Sequence, residues 1–169
     1  MSILTIAMYP AAILHRVAAP VKKVDDDIRQ LLDDMAETMA AAPGVGLAAP
    51  QVRVDKRVIV INTTGKNLVQ MVNPEILSRD GEIEWEEGCL SIPDFRIVMK
   101  RSQQVTCRYG DRNGKEQQMD ARDLAAVCIQ HEIDHLDGKL IIDQVSRLQQ
   151  DLYLKRLKKG KHEHRLHGL

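Results

Sequence analysis

The segment "DLAAVCIQHEIDHL", residues 123–136, sets Leu124, Val127, Cys128, His131 and His135 at three- and four-residue spacing. That period predicts a helix with all five along one stripe. His131 and His135 then lie one turn apart on the same face and can aim their imidazoles at one point. Glu132 sits about 100° round the helix from His131, beside that point rather than on it, where it can hold a water. Two readings compete. One is a His-Glu-x-x-His metal site with its own general base. The other is an amphipathic helix whose histidines are hydrogen-bonded core residues, and these few residues do not separate the two.

The rest of the chain surrounds this helix with other elements. "DDDIRQLLDDMAETMAAAPG" puts Ile28, Leu31, Leu32, Met35 and Met39 on one helical stripe, with aspartates at its front and Pro43-Gly44 as a stop. Three short runs follow, "RVIVIN", "LVQMVNP" and "QVTCRYG", rich in β-branched residues and bounded by Gly, Asn or Pro. Asn113-Gly114 is a hairpin signal, and strands joined by tight turns pair antiparallel. A last helix starts near Ser146 and carries Leu148, Leu152 and Leu157. Helix, strands, helix, helix is the order of an α+β fold.

Composition narrows the classes. The 169 residues suit a single domain spanning 1–169, with 150–169 as a C-terminal helix and basic tail. Formal net charge is zero, so no global field draws in DNA or an acidic membrane. No apolar run approaches the roughly 18 residues of a membrane span. The N-terminus lacks a basic region and places Pro10 and His15 where a signal peptide should be apolar. Three cysteines form no disulfide framework, which points to a reducing, cytoplasmic setting.

A third ligand decides between the two readings of the histidine helix. The scheme H-E-x-x-H-x-x-G-x-x-H fails, because Gly138 is in place but position 141 is Ile. A glutamate from a later helix fails too, since the sole candidate, Glu163, lies in the charged tail. The ligand is therefore sought upstream, where "EEGCLSIP" offers Cys89. Cys107 falls in a plain alternating strand and Cys128 on the histidine helix, both better suited to be small core residues. A Cys-His-His set leaves one tetrahedral position open, as catalytic sites do, and its donors admit Zn²⁺, Fe²⁺, Co²⁺ or Ni²⁺.

One more stretch stands out, "GVGLAAPQ", residues 44–51. A phosphate loop would want more glycine and a lysine. Gln51 can donate its amide to a developing oxyanion, and Gly46 permits close backbone approach to a substrate. The alternative is a helix stop and a turn into the next strand, which Gly44 alone would explain.

Taken together, "GVGLAAPQ", "EGCLS" and "QHEIDHLDG", in that order, resemble the three signature motifs of the peptide deformylase family, and the similar layout runs over most of residues 1–150. The resemblance implies antiparallel sheets wrapped around the helix that bears the two histidines. It implies Cys89, His131 and His135 as metal ligands, usually to Fe²⁺, and Glu132 as general base and later acid. Gln51 and the Leu90 N–H would stabilise the oxyanion, with Val45 and Gly46 near the substrate backbone. The implied activity removes the formyl group from N-formylmethionyl nascent polypeptides, releasing formate. Asp94-Phe95 stands where many members of the family have a glycine, which leaves the rim of the groove open to question.

Methionine selectivity needs an apolar pocket beside the metal. Leu124, Val127 and Cys128 share or adjoin the face of His131 and are expected to line it, with Trp85 at its edge; plain core packing is the alternative. The tail "LKRLKKGKHEHRLHGL" is basic: a solvated face, or a docking segment for ribosomal RNA near emerging chains. Two rivals to the deformylase reading remain. A metallopeptidase would use the same water chemistry on internal peptide bonds, and a non-catalytic fold would hold a structural zinc at the same three residues.

Overall fold

The computed structural model describes residues 2–167, with side chains from 2 to 160; the tail's side chains beyond Gly160 lie outside the described residues. Helix α1 runs Asp26–Ala41, and the Asp25 side chain caps it by accepting the Ile28 N–H at 3.0 Å. Ile28, Leu32, Met35 and Met39 are buried along one stripe, whereas Leu31 is only half-buried. The helix stops where Gly44 N–H reaches back to the Met39 carbonyl, just after Pro43.

Seven strands follow: β1 (Gly46–Ala48), β2 (Val58–Ile61), β3 (Val69–Asp80), β4 (Ile83–Cys89), β5 (Ile92–Arg101), β6 (Gln104–Gly110) and β7 (Glu116–Arg122). Five make an antiparallel sheet in the order β1-β2-β3-β6-β7, and β4 and β5 form a separate antiparallel hairpin. The expected Asn113-Gly114 turn closes β6 onto β7, with Gly114 at φ 77°. Helix α2 (Leu124–Leu136) then crosses the sheet, and α3 (Arg147–His167) ends the chain.

The sequence of β2 explains how the layers stack. All four of its residues are buried, because it is covered on both faces. Val58 and Val60 join Ile28, Leu32, Met35 and Met39 under α1. Ile59 and Ile61 point the other way and pack with Met71, Val105, Ala126, Ile129 and Leu136 under α2. The two-residue period of a strand sorts alternate side chains to opposite cores, and each buried aliphatic contributes roughly 1.5–3 kcal/mol. A third cluster joins Tyr9, Leu14, Ile92, Leu140, Ile142 and Tyr153. The fold is α+β, with antiparallel strands against the helix that carries His131 and His135.

Two differences from the sequence reading have physical causes. The strands β4, β5 and β7 carry many charged or polar residues, such as "IEWEEGC" and "EQQMDAR", so composition hid them. In α3 the expected stripe holds at Leu157, which packs on the cluster around Tyr153, but Leu148 and Leu152 are 69% and 48% exposed, while Tyr153 is buried. A tyrosine covers more apolar area than a leucine and can also satisfy its hydroxyl, and here the phenol donates to the Pro93 carbonyl at 2.7 Å.

Candidate active site

The site lies where α2, the β4–β5 hairpin and the segment after α1 meet, in a cleft of about 470 Å³. Its walls include Val45, Gly46, Gln51, Trp85, Cys89, Leu90, Leu124, Val127, Cys128, His131 and Glu132, so residues far apart in sequence share one space. His131 and His135 stand edge to face, ring centroids 5.0 Å apart, as one turn of helix requires. Cys89, at the end of β4, brings its Sγ to 3.3 Å from His135 Nε2. One donor atom from each of Cys89, His131 and His135 lies within 4.8 Å of the others. An ion with bonds of about 2.0–2.3 Å needs tetrahedral donors roughly 3.3–3.8 Å apart, so the cluster fits a divalent cation after small side-chain adjustment.

Burial lowers His131, but hydrogen bonds to Cys89 and Glu87 hold it well above its ordinary value, so a cation taken up here displaces a proton. His135 is buried, and burial, with the charges of His131 and Arg101 adding, holds it well below its ordinary value. It is thus neutral, the form that offers a lone pair. His131 turns Nδ1 toward Glu87 Oε1 at 2.8 Å, leaving Nε2 toward the cleft. Glu87 is in turn gripped by Arg101, whose Nε and Nη2 lie 2.8 and 2.9 Å from its two oxygens. Arg101 also reaches Asp134 at 2.6 Å. Burial alone would raise Glu87, but the Arg101 and His131 hydrogen bonds bring it below the usual carboxylate range. A carboxylate held this way orients the imidazole and makes it more basic.

Glu132 is buried and belongs to the same cleft. One of its oxygens is 4.0 Å from His131 Nε2, and the other is buried with no hydrogen-bond partner among the described residues. Burial pushes its carboxyl up to about 7, against the pull of the His131 charge. A bound cation would act in the lowering direction. Cys128 stays a thiol, since burial raises it well above its ordinary value; it donates to the Val45 carbonyl at 3.5 Å.

Gln51 is held by the backbone that precedes it. Its Oε1 accepts the Ala48 N–H at 2.9 Å, which turns Nε2 toward Ser91 Oγ at 3.1 Å and Cys89 Sγ at 3.6 Å. The amide donor therefore sits at the edge of the cluster. Gly46 approaches closely, but to protein: a Cβ there would lie 2.7 Å from both Cys128 Sγ and Glu132 Oε1. Leu90 closes the β4–β5 turn and packs against Gly44. Val127 and Cys128 are buried, Leu124 is half-buried, Val45 is 47% exposed, and Trp85 stands in the wall.

Sequence reasoning missed Glu87, Ser91, Arg101 and Asp134. Glu87 and Ser91 flank the Cys89 motif and Asp134 lies within the histidine segment, so all three had a positional signal. Arg101 had none, because a lone arginine at the end of a strand is ordinary.

Comparison with known proteins agrees with this geometry. The family model described as polypeptide deformylase matches residues 3–151. A peptide deformylase from Alkalilimnicola ehrlichii is 49% identical over 162 residues, covering 94% of this chain and 91% of that one. A crystal structure of a peptide deformylase from Legionella pneumophila superposes with a TM-score of 0.90 at 42% identity, covering 96% of this chain and 98% of the other. One from Ehrlichia chaffeensis in complex with actinonin does so with a TM-score of 0.88 at 38% identity, covering 95% and 98%. With a family model spanning most of its length and relatives this similar, the chain belongs to the peptide deformylase family.

Proposed function

We propose that Cys89, His131 and His135 hold one divalent ion and that Glu132, Gln51 and the Leu90 amide act on a formyl amide bound beside it. As a member of its family the protein is a metal-dependent hydrolase that removes the formyl group from N-formylmethionyl peptides. The observation that carries the assignment of roles is the meeting of one thiol and two imidazoles in a cleft that also holds a buried, half-unpartnered carboxylate.

The ion, when bound, would lower the pKa of a water far below its bulk value, to roughly 7, and so supply a nucleophile at neutral pH. Glu132 takes the proton of the attacking water and later delivers it to the leaving amine nitrogen. Its burial suits both tasks, because burial raises the carboxyl while a bound cation lowers it, and a carboxyl balanced between the two can accept and return a proton. Gln51 Nε2 and the Leu90 N–H donate to the carbonyl oxygen as negative charge grows there. Removal of one such donor typically raises the barrier by about 2.7–4 kcal/mol. Formate and a free N-terminal amine leave. Leu124, Val127, Cys128 and Trp85 would receive the methionine side chain, with Val45 and Gly46 beside the substrate backbone.

Formate release from a formyl-Met peptide, lost in Glu132→Ala, is the direct test. Cleavage of an acetyl-blocked analogue at an internal bond would favour a metallopeptidase instead. The native ion is proposed to be Fe²⁺. Air-exposed Fe enzyme should then lose activity faster than Ni²⁺-substituted protein, since ion and thiolate both oxidise; equal decay would count against Fe²⁺. A thiolate ligand also suits a reducing compartment, which supports a cytoplasmic location. Docking on the ribosome through the basic tail rests on its charge alone, and truncation after Leu157 with unchanged ribosome binding would dispose of it.

A further inference from the structure

The hairpin that ends in Cys89 turns at Leu90–Ser91 and returns as β5, so one short segment bears a candidate ligand, the Leu90 amide and part of the cleft wall at Asp94, Phe95 and Arg96. Two contacts from behind the cleft hold this segment. The Tyr9 N–H donates to the Ser91 carbonyl at 2.9 Å. Tyr153 of α3 donates its phenol to the Pro93 carbonyl at 2.7 Å and meets the Phe95 ring edge-on, centroids 5.9 Å apart and planes at 79°. Tyr153 is buried behind the residues that line the cleft.

Between the two residues that Tyr153 touches, Pro93 and Phe95, Asp94 adopts φ 60°, the left-handed region. Aspartate tolerates it better than most residues but still at a cost, so neighbours must impose it. The Pro93 carbonyl and the Asp94 N–H share one peptide plane. Rotating that plane changes Pro93 ψ and Asp94 φ together, and is the natural route by which Asp94 would return to negative φ. The Tyr153 hydroxyl holds the carbonyl of that plane, and the edge-on ring contact holds the next residue.

We propose that Tyr153 is a positioning residue for the outer part of the substrate groove. It fixes the Pro93–Asp94 peptide so that Asp94, Phe95 and Arg96 present one surface to the peptide running out of the cleft. The effect falls on substrates long enough to reach that surface. This rests on the deformylase reading, because the formyl end must sit at the Cys89–His131–His135 cluster for the chain to run outward.

The test compares metal-loaded wild type and Tyr153→Phe on formyl-Met-Ala and on a formyl-Met pentapeptide, after melting curves show that both proteins are folded at the assay temperature. Tyr153→Phe keeps the ring and removes the hydrogen bond. KM for the pentapeptide should rise roughly two- to ten-fold, while kcat and both constants for the dipeptide stay put. Adding Asp94→Gly should recover most of the loss, because glycine adopts that φ freely, whereas Asp94→Gly alone should lack this benefit. Equal losses on both substrates, no loss on the pentapeptide, or a loss that glycine does not relieve would each overturn the proposal. Wild type that releases no formate from either substrate marks failure of the deformylase reading itself, and is seen before any variant is compared.

Discussion

Helices α1 and α2 are both packed against the same sheet, yet they bury different chemistry. On α1 the buried positions are Ile28, Leu32, Met35 and Met39, with Thr38 the one polar residue among them. Thr38 is satisfied by bonding the Asp34 carbonyl and accepting the Leu4 N–H. On α2, Gln130, Glu132 and His135 are buried beside Ile129 and Leu136. Gln130 finds partners in the carbonyls of Ser102 and Ala126, but Glu132 and His135 each keep one buried atom unpartnered among the described residues. Burying polar atoms without partners costs free energy. One such atom, Glu37 Oε2, lies on α1 too, but its residue is only half-buried; α2 places both of its own on fully buried residues beside the candidate ligands, where a cation and a substrate would use them.

Substitutions on the two helices should therefore fail in opposite ways. The largest effect is expected from Glu132→Gln: kcat/KM for a formyl-Met peptide should fall by about 10²–10⁴, with metal content retained and the melting temperature unchanged or raised. A large loss of stability instead would make Glu132 a structural residue like those of α1. Glu87→Gln should do both kinds of harm, because it strips a buried partner from Arg101 and the orienting carboxylate from His131. Breaking such a pair costs about 3–5 kcal/mol, and loss of the orienting bond about 10–100-fold in metal affinity, measured by chelator competition. Wild-type metal affinity in that variant would show that the Glu87–His131 contact orients nothing.

Leu32→Ala on α1 should cost about 2–5 kcal/mol in denaturant unfolding, with kcat/KM per folded molecule unchanged. A matching fall in turnover would erase the distinction between the helices. The smallest effect concerns the Asp33–Arg112 pair, 2.7 Å apart at the surface of α1. The Arg112 hydrogen bond, more than its charge, holds the Asp33 carboxyl below its ordinary 3.8. A depressed folded value contributes stability that is complete above the unfolded pKa and lost as pH falls through the folded one. Asp33→Asn should thus cost about 0.2–1 kcal/mol at neutral pH. The difference from wild type should shrink with salt and vanish in acid; a difference that persists in acid would assign it to packing.

How much could be read in advance follows from the same contrast. The stripe of α1 was visible because every buried position but Thr38 is apolar, and β2 because four aliphatic residues in a row need two covered faces. The Asn113-Gly114 turn was visible because its backbone demands those residues. β4 and β5 were not, although Ile83-Glu84-Trp85-Glu86 does alternate, because charged residues outnumber β-branched ones in both strands. The candidate site was legible as types and spacings, Cys89 with His131 and His135. The network behind it, Arg101 to Glu87 to His131, joins β5, β4 and α2 and exists only once they are folded together. Gly46 shows the same limit. Its glycine suggested room for a substrate, whereas the tightest approach is to Glu132 and Cys128.

The most direct measurement is an anaerobic titration of metal into the stripped protein, following formate release from a formyl-Met peptide. Activity should rise in proportion to added ion and level off at one ion per chain, and Cys89→Ala should neither take up the ion at that affinity nor release formate. Full turnover by the stripped protein, or wild-type uptake and turnover by Cys89→Ala, would contradict the account.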